Sequence, residues 1–474
     1  MPKYLIRLSG EMSLKGTHRR RLEKLLERNI IASLGGNCSI NWIDSGRALV
    51  EYSSDAVDIL RRVFGVLEVL EVAEFSFSDI QDLSNRIRDL FCEEIRGKIY
   101  ALRVHRVGTH SFTSIDVAKL AGEKLRECGA GVDLENPEIE IYIEIRGDRV
   151  YATTNKRRYR GFGGLPLGSQ ARVLVLFSGG FDSTVATWLM LRKGSPTDLL
   201  HIRMGSLENL YRVIEVAEKL ARNWALGHKM RFFVANFSSI IREIKEKIDP
   251  VYWQIALRRS MLILAQEYAK INRYASIVTG ESIWEANSQT IENIDASSKK
   301  LDVMIIRPVI GLSKDDIIDL SIKIGLYEDI KKVKETCWLG SYTPLKINES
   351  RFMDQFSKIS DEVFKQAIKE IIEIDLYGDW RRDIKEKIGT SEDIEIDTVP
   401  DRAVIVNLTK RNIKKRFIGH KVINLSEIDK YRDQELVLVC EEGELSELLA
   451  ESLRRAGFKT YSLKGGLKRF FGYE

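Results

Sequence analysis

The segment VLVLFSGGFDS, residues 173–183, decides the fold of the central part of this chain. Five apolar residues in succession suit a strand buried on both faces of a parallel sheet. Gly179 and Gly180 follow, and glycine lets a backbone come close to an anion. Val185, Trp188, Leu189 and Arg192 then recur at helical spacing. A helix N-terminus presents unpaired N–H groups and the positive end of its dipole. Strand, glycine turn and helix together predict a phosphate site formed by Ser178, Gly179, Gly180 and Ser183. No Gly-Lys-Ser/Thr follows the glycines, so the loop is not of the Walker type. Asp182 cannot itself attract phosphate; its expected task is to hold a magnesium ion or to polarise the leaving group. An ordinary strand-to-helix turn is the plainer alternative.

Towards the C-terminus, apolar strands are expected at 198–202, 231–235, 275–279 and 303–307, with helical stretches between them. That alternation predicts a doubly wound α/β fold, in which ligands sit at the carboxyl ends of the strands. Gly280-Glu281-Ser282 follows one such end, with Ser288-Gln289-Thr290 close behind. Arg307-Pro308 closes another and leads to Lys314. Arg258 and Arg259 lie on a long helix. Each of these alone is more often a loop or surface residue than a ligand.

Towards the N-terminus, a strand at 3–8 precedes a helix with Leu22, Leu25, Leu26 and Ile30 on one side and Thr17 as its cap. The other side carries Arg19, Arg20, Arg21, Lys24 and Arg28, which form either a solvated face or an RNA contact. Strands at 39–43 and 48–52 complete a small unit over 1–58. A second unit, 59–165, holds helices near 79–96 and 114–128, a strand at 99–105 and a hairpin across Gly147-Asp148. It ends in NKRRYRGFGGLPLG, where Lys156, Arg157, Arg158 and Arg160 alternate with Tyr159 and Phe162. Basic groups neutralise phosphate and aromatic rings stack on bases, although most basic loops are only solvated.

The remaining bounds are broad. At 474 residues, 44% hydrophobic and with only 8 prolines, the chain is expected to form several ordinary globular domains. It has no run of eighteen apolar residues and its start lacks a signal-peptide core, so a cytoplasmic protein with no membrane partner is expected. A formal charge of +5 is not globally basic, so any nucleic-acid surface must be local. Cys38, Cys92, Cys128, Cys337 and Cys440 are scattered, with no C-x-x-C spacing. That argues against structural zinc, an iron–sulfur cluster and a disulfide scaffold, and for single reactive thiols. Residues 346–398 are charged and mostly helical, as a tether between mobile domains would be. Residues 399–474 form a small α/β unit with strands at 404–406 and 436–439. Cys440 ends the second strand and precedes a helix near Ser446, where backbone N–H groups can stabilise a thiolate.

The ordered set RYRGFGGLPLG, SGGFDS, TGES with SQT, IIRP and ETC resembles the tRNA uridine 4-sulfurtransferases, or 4-thiouridine synthetases, over nearly the whole chain. The resemblance implies an α/β multidomain protein. Its parts would be a ferredoxin-like domain (1–58), a THUMP RNA-binding domain (59–165), a PP-loop ATP pyrophosphatase domain (166–345), a linker (346–398) and a rhodanese-like domain (399–474). It implies that Val175, Leu176, His201, Ile202, Arg258, Gly280 and Gln289 line an ATP site, and that Asp182 and Lys314 serve adenylation with ATP and Mg2+. It implies that Cys440 carries a persulfide supplied by a cysteine desulfurase or another donor. Cys337 would then form a transient disulfide with Cys440, reopened by an external reductant. The target implied is the uridine at the eighth position of tRNA, and a homodimer is suggested. The first strand of the last unit carries Asn407 where a rhodanese has an acid. The active loop carries Glu441, Glu442 and Glu444, which oppose negative charge on the thiol and suit a cationic donor protein. Two alternatives stand beside this: a sulfur carrier for the thiazole of thiamine, and a non-catalytic tRNA-binding protein.

Overall fold

The computed structural model describes residues 1–13, 18–284, 286–334, 343–389, 394–409 and 411–472. Thr17 and Cys337 therefore lie outside the described residues. The chain forms two compact units, one built mainly from residues 1–169 and the other from most of 170–474.

The first unit holds two five-stranded sheets. One has the order Arg158–Arg160, Val66–Glu71, Lys3–Leu8, Arg47–Glu51, Ser39–Asp44, antiparallel throughout. Tyr4, Ile6 and Leu8 alternate along its central strand. They bury against Leu22, Leu26 and Ile30 of the Arg19–Ser33 helix. This sheet runs past residue 58, because Val66–Glu71 and the distant Arg158–Arg160 both pair into it. Val66 and Val69 belong to the same apolar core, which is why the strand stays with the first sheet.

The second sheet pairs Ile99–Val107 in parallel with Ile139–Arg146, and Ile139–Arg146 with Arg149–Thr154 through the expected hairpin. The helices Ile80–Ile95 and Ser114–Leu125 cover its inner face with Leu83, Ile87, Phe91, Val117, Ala121 and Leu125. Asp79 and Thr113 cap these helices through their side chains. Cys92 lies on the first of them and Cys128 just beyond the second, and the two are joined as a disulfide. The expectation of single thiols fails here. Two helices packed side by side bring together cysteines whose separation of 36 residues carries no motif.

The second unit is organised by a six-stranded sheet in the order Ile305–Ile306, Ile277–Val278, Val173–Leu176, Thr197–Arg203, Phe232–Asn236, Ile372–Ile374. The first five strands are parallel and the last is antiparallel. The doubly wound sheet expected from the sequence is present, with Val173–Leu176 at its interior. Residues 346–398 are not a tether. Phe352, Phe356, Ile359, Phe364 and Ala367 sink into the core beneath the sheet, and Ile372–Ile374 becomes its edge strand. High charge on the outer faces of the amphipathic helices Glu349–Phe356 and Asp361–Lys369 hid their apolar faces.

A second sheet of this unit is parallel throughout: Glu395–Ile396, Lys459–Leu463, Glu435–Val439, Val404–Asn407, Val422–Asn424. The Glu444–Arg455 helix follows its central strand. Leu449, Ala450 and Leu453 of that helix pack onto Val404, Val406, Leu436 and Leu438.

Candidate functional site

The glycine turn is held by its own serines. Ser183 Oγ accepts from Ser178 N at 3.2 Å and lies 3.0 Å from Ser178 Oγ, which in turn accepts from Gly180 N at 3.3 Å. Gly179 has φ +80°, and a Cβ there would stand 3.2 Å from Val213 Cα. Gly280 is more confined: a Cβ would fall 2.6 Å from Ser183 N, so the end of the neighbouring strand presses directly on the helix start. Asp182 lies in the first turn of the Phe181–Arg192 helix. Its Oδ2 is 3.5 Å from Lys314 Nζ. Lys314 opens the Lys314–Lys323 helix, whose start is set by a Ser313/Asp316 capping box.

Strand register brings Val175 opposite Leu199 and Leu176 opposite Leu200, so Val175, Leu176, His201 and Ile202 share the carboxyl-end region of two adjoining strands. His201 is buried and its Nδ1 lies 2.9 Å from the carbonyl of Phe177. A carbonyl only accepts, so Nδ1 carries the proton and Nε2 is the acceptor. Burial pushes the pKa of His201 down to about 4, so the ring is neutral at neutral pH.

Glu281, which the sequence reading placed only in a loop, gathers the other predicted residues. Its carboxylate accepts from Arg307 Nε at 2.7 Å and Thr279 Oγ1 at 3.0 Å, and lies 3.5 Å from Arg258 Nη1. Arg258 Nε donates to Ser288 Oγ at 3.2 Å, and Gln289 Oε1 accepts from Ser282 N at 3.0 Å. Arg258 and Arg307 thus meet at the Glu281 carboxylate, and Gln289 holds the amide of the next residue, Ser282. The signal was the carboxylate between Gly280 and Ser282, whose arginine partners lie 23 residues before it and 26 after it, too far apart to form a local motif.

The donor set fits magnesium as it binds with nucleotides. Asp182 supplies one hard oxygen beside the turn, and Mg2+ ordinarily takes one or two carboxylates together with phosphate oxygens. Among the described residues, no group of three or more His, Cys, Asp or Glu side chains could by itself hold a metal.

The second site is Cys440. Its buried Sγ lies 3.2 Å from Gly443 N, 3.4 Å from Ser446 N and 3.3 Å from Ser446 Oγ. Gly443 takes φ +87°, and a Cβ on Gly466 would collide with Cys440 O at 2.5 Å and Gly443 N at 2.6 Å. Two glycine-bearing turns are therefore pressed together to shape the cradle. The three loop carboxylates do not present a free acidic face. Glu441 pairs with Arg411 at 3.2 Å, Glu442 with Lys468 at 3.4 Å and Glu444 with Lys334 at 2.9 Å. Asn407 accepts from Thr409 N and donates to Arg411 O, shaping the turn that carries Arg411.

The candidate RNA residues divide. Arg20 and Lys24 are exposed on the outer face of their helix, while Arg19 pairs with Glu23 at 2.8 Å. Lys156 and Arg160 are exposed, and Arg157 pairs with Glu94. Arg158 donates twice to Glu68, at 3.1 and 2.6 Å, and lies 4.2 Å over the ring of Tyr142. Tyr159 packs against the core of the first sheet. These two are structural residues, because the strand that carries them pairs with Val66–Glu71. No helix among the described residues is long and apolar enough to cross a membrane.

Fold and site together define an α/β protein of the PP-loop class, joined to a thiol-bearing α/β domain and preceded by two small sheet domains. Residues 168–360 match the family model described as thiamine biosynthesis protein (ThiI), residues 77–155 the THUMP domain and residues 3–69 the ThiI ferredoxin-like domain. The tRNA sulfurtransferase of Desulfurococcus amylolyticus is 37% identical over 480 residues, covering 99% of this chain and 98% of that one. That of Thermoplasma acidophilum is 33% identical, covering 97% and 94%. A crystal structure of a 4-thiouridine synthetase–RNA complex with bound ATP superposes with a TM-score of 0.70 at 24% identity. It covers 79% of this chain and 99% of that one, a likeness of fold. The chain belongs to the tRNA sulfurtransferase (ThiI) family.

Proposed function

We propose that this protein uses ATP to adenylate a uridine of tRNA, the one at the eighth position, and replaces its 4-oxygen with sulfur, giving 4-thiouridine. The observation that carries the reading is one compact unit holding both a glycine turn with Asp182 and Lys314 and a cradled thiol at Cys440. The two small sheet domains grip the tRNA through exposed cations such as Arg20 and Lys24, mostly by phosphate contacts.

ATP lies across the carboxyl ends of the central strands. Backbone N–H groups of the Ser178–Ser183 turn receive its phosphates, and Arg258, held by Glu281, adds positive charge. His201 offers Nε2 as an acceptor. Asp182 would hold the magnesium ion, which when bound neutralises phosphate charge. The uridine 4-oxygen attacks the α-phosphate and pyrophosphate departs, its charge balanced by Lys314. Adenylation turns a poor oxygen leaving group into AMP.

The last domain is read as rhodanese-like, with Cys440 charged by a cysteine desulfurase or another persulfide donor. Two backbone N–H groups and Ser446 suit negative charge on sulfur. Its terminal sulfur attacks carbon-4 and AMP leaves. The Cys337 thiolate takes the inner sulfur, leaving a Cys337–Cys440 disulfide that a dithiol reductant reopens.

The test is mass spectrometry of nucleosides from unmodified tRNA incubated with ATP, magnesium and a desulfurase or sulfide. The expected product is 4-thiouridine, lost with both sulfur sources in Asp182→Ala, and lost only with the desulfurase in Cys440→Ala. No product from the unaltered protein with either source would refute the reading. A second role, carrying sulfur to a thiazole, is supported by the description of the family model. It requires Cys440 and not Asp182.

A further inference from the structure

The surface around Cys440 carries a charge opposite to the one its own loop suggests. Leu467 N donates to Cys440 O and Lys468 N to Glu441 O, both at 3.0 Å, so the Gly466–Phe471 helix starts directly on the thiol loop. A second segment, residues 411–418, lies against that helix. The Phe417 ring stacks on Phe470 at 6.2 Å and meets Phe471 edge-on at 5.4 Å. Both segments border the thiol loop, since Arg411 reaches Glu441 and Lys468 reaches Glu442. Arg411, Lys414, Lys415 and Arg416 on one segment, and Lys468 and Arg469 on the other, are all exposed.

We propose that this rim is the docking surface for the protein that charges Cys440 with sulfur, and that the donor presents carboxylates around an apolar contact. The inference rests on the reading of Cys440 as persulfide carrier. It reverses the cationic donor expected from Glu441, Glu442 and Glu444 in the sequence.

The loop carboxylates are already used within the protein. Glu444 accepts from Ser206 N and meets Lys334, with its side chain only 14% exposed. Glu441 and Glu442 lie beside Arg411 and Lys468, and Asp397 lies 3.2 Å from Arg469. The cation of each of these three pairs is more than half exposed. An ion pair open to water contributes little, so a partner's carboxylates can replace it at small cost. Lys414 and Lys415 add further positive charge, and opposite charge on a donor speeds the encounter.

The apolar part of the rim selects a protein. Ile418 is 86% exposed, more than any other large apolar side chain among the described residues, and Phe470 is 41% exposed. The buried ring of Phe417 anchors the chain on which Ile418 stands. An apolar centre bordered by charge is the anatomy of a protein interface. RNA would meet the same cations, but an aliphatic chain offers no face to a base, and the Phe470 ring is already stacked. Cys440 is itself buried, so a donor has to seat on the residues bordering its loop to bring sulfur to Sγ.

The step is balanced. The Cys440 thiolate attacks the terminal sulfur of the donor's persulfide, the donor's S–S bond breaks, and the donor cysteine leaves as a thiolate. One sulfur changes carrier with its proton, and no other oxidant or reductant is consumed.

The experiment uses the full chain and two probes: a cysteine desulfurase of net negative charge fed with cysteine, and inorganic polysulfide, which needs no docking. Persulfide on Cys440 is followed by mass spectrometry. Lys414→Glu with Lys415→Glu, and separately Ile418→Asp, should load at least about tenfold more slowly from the desulfurase and within about twofold from polysulfide. Added salt should slow desulfurase loading of the unaltered protein and change the lysine variant little. Unchanged desulfurase loading in both variants would overturn the proposal, as would faster loading in the lysine variant, which would mark a cationic donor face. So would no desulfurase loading of the unaltered protein, or an equal fall with polysulfide, which would mark a merely structural role. An equal loss of tRNA binding in the lysine variant would give the surface to RNA, and a changed oligomeric state would give it to a second copy of this chain; either result overturns the proposal. Undiminished desulfurase-driven thiolation in Cys440→Ala would instead remove the persulfide reading itself, and the proposal with it.

Discussion

Replacing Glu447 by Gln should stabilise this protein above neutral pH and leave it unchanged in acid. Glu447 is 3% exposed, on the helix that follows Cys440, and accepts from Leu207 N at 3.0 Å. Burial penalises its charged form more than the Leu207 amide and nearby Arg203 favour it, and Glu395 and Glu444 add repulsion. Its pKa is pushed up from 4.5 to about 7. Between these values the folded protein holds a proton that the unfolded chain has released. Stability is therefore fully present below about pH 4.5 and is lost as pH rises through about 7. At about 1.4 kcal/mol per tenfold change in proton affinity, the loss reaches about 3 kcal/mol at alkaline pH. Gln keeps an acceptor for Leu207 N and cannot ionise. Urea unfolding of both proteins from about pH 5 to 8.5 measures the difference. His201 titrates with the opposite sign, since its lowered pKa removes stability as pH falls from 6.5 towards about 4. It is present in both proteins and cancels. A pH-independent difference, or a Gln variant less stable at about pH 8, would show that the Leu207 bond outweighs desolvation.

Other outcomes follow from the same contacts. Glu281→Ala strands Arg258 and Arg307, both largely buried, and should raise the KM for ATP in pyrophosphate exchange about tenfold while costing about 3 kcal/mol in stability. Cys92→Ser with Cys128→Ser opens a loop of 36 residues and should lower stability by up to about 4 kcal/mol, read by hydrogen exchange in the Ile80–Ile95 and Ser114–Leu125 helices. Arg20→Ala with Lys24→Ala should weaken tRNA binding and flatten its salt dependence by about two counterions in a filter-binding series. Arg158→Ala should instead lower stability, since its guanidinium is held by Glu68 and Tyr142.

Local order along the chain was legible wherever the determinant was itself local. The run 173–177 needed both faces covered, Gly179 and Gly180 needed a turn, and the next residues needed a helix, so the glycine turn could be placed without coordinates. The cradle at Cys440 was legible for the same reason. Less legible was anything set by apolar stripes inside charged segments. Phe352, Phe356 and Phe364 sit at helical spacing among carboxylates and lysines, and their burial turns an apparent tether into part of the core.

The amino-acid sequence by itself determined the doubly wound sheet, the glycine turn that follows Val173–Leu176 and the placing of Cys440 at a helix start. Each of these depends on neighbours a few residues apart. Tertiary structure alone decided the partners. Glu281 gathers Arg258 and Arg307, Cys92 finds Cys128, and Arg158 and Tyr159 join the first sheet. Of the carboxylates beside Cys440, Glu444 meets Lys334 with its own side chain largely buried, whereas Glu442 meets Lys468 in an exposed pair. A carboxylate reads alike in sequence whether it faces water, a donor protein or a lysine a hundred residues away. Only packing brings the opposite charge within a few ångströms and excludes the water that would otherwise screen it.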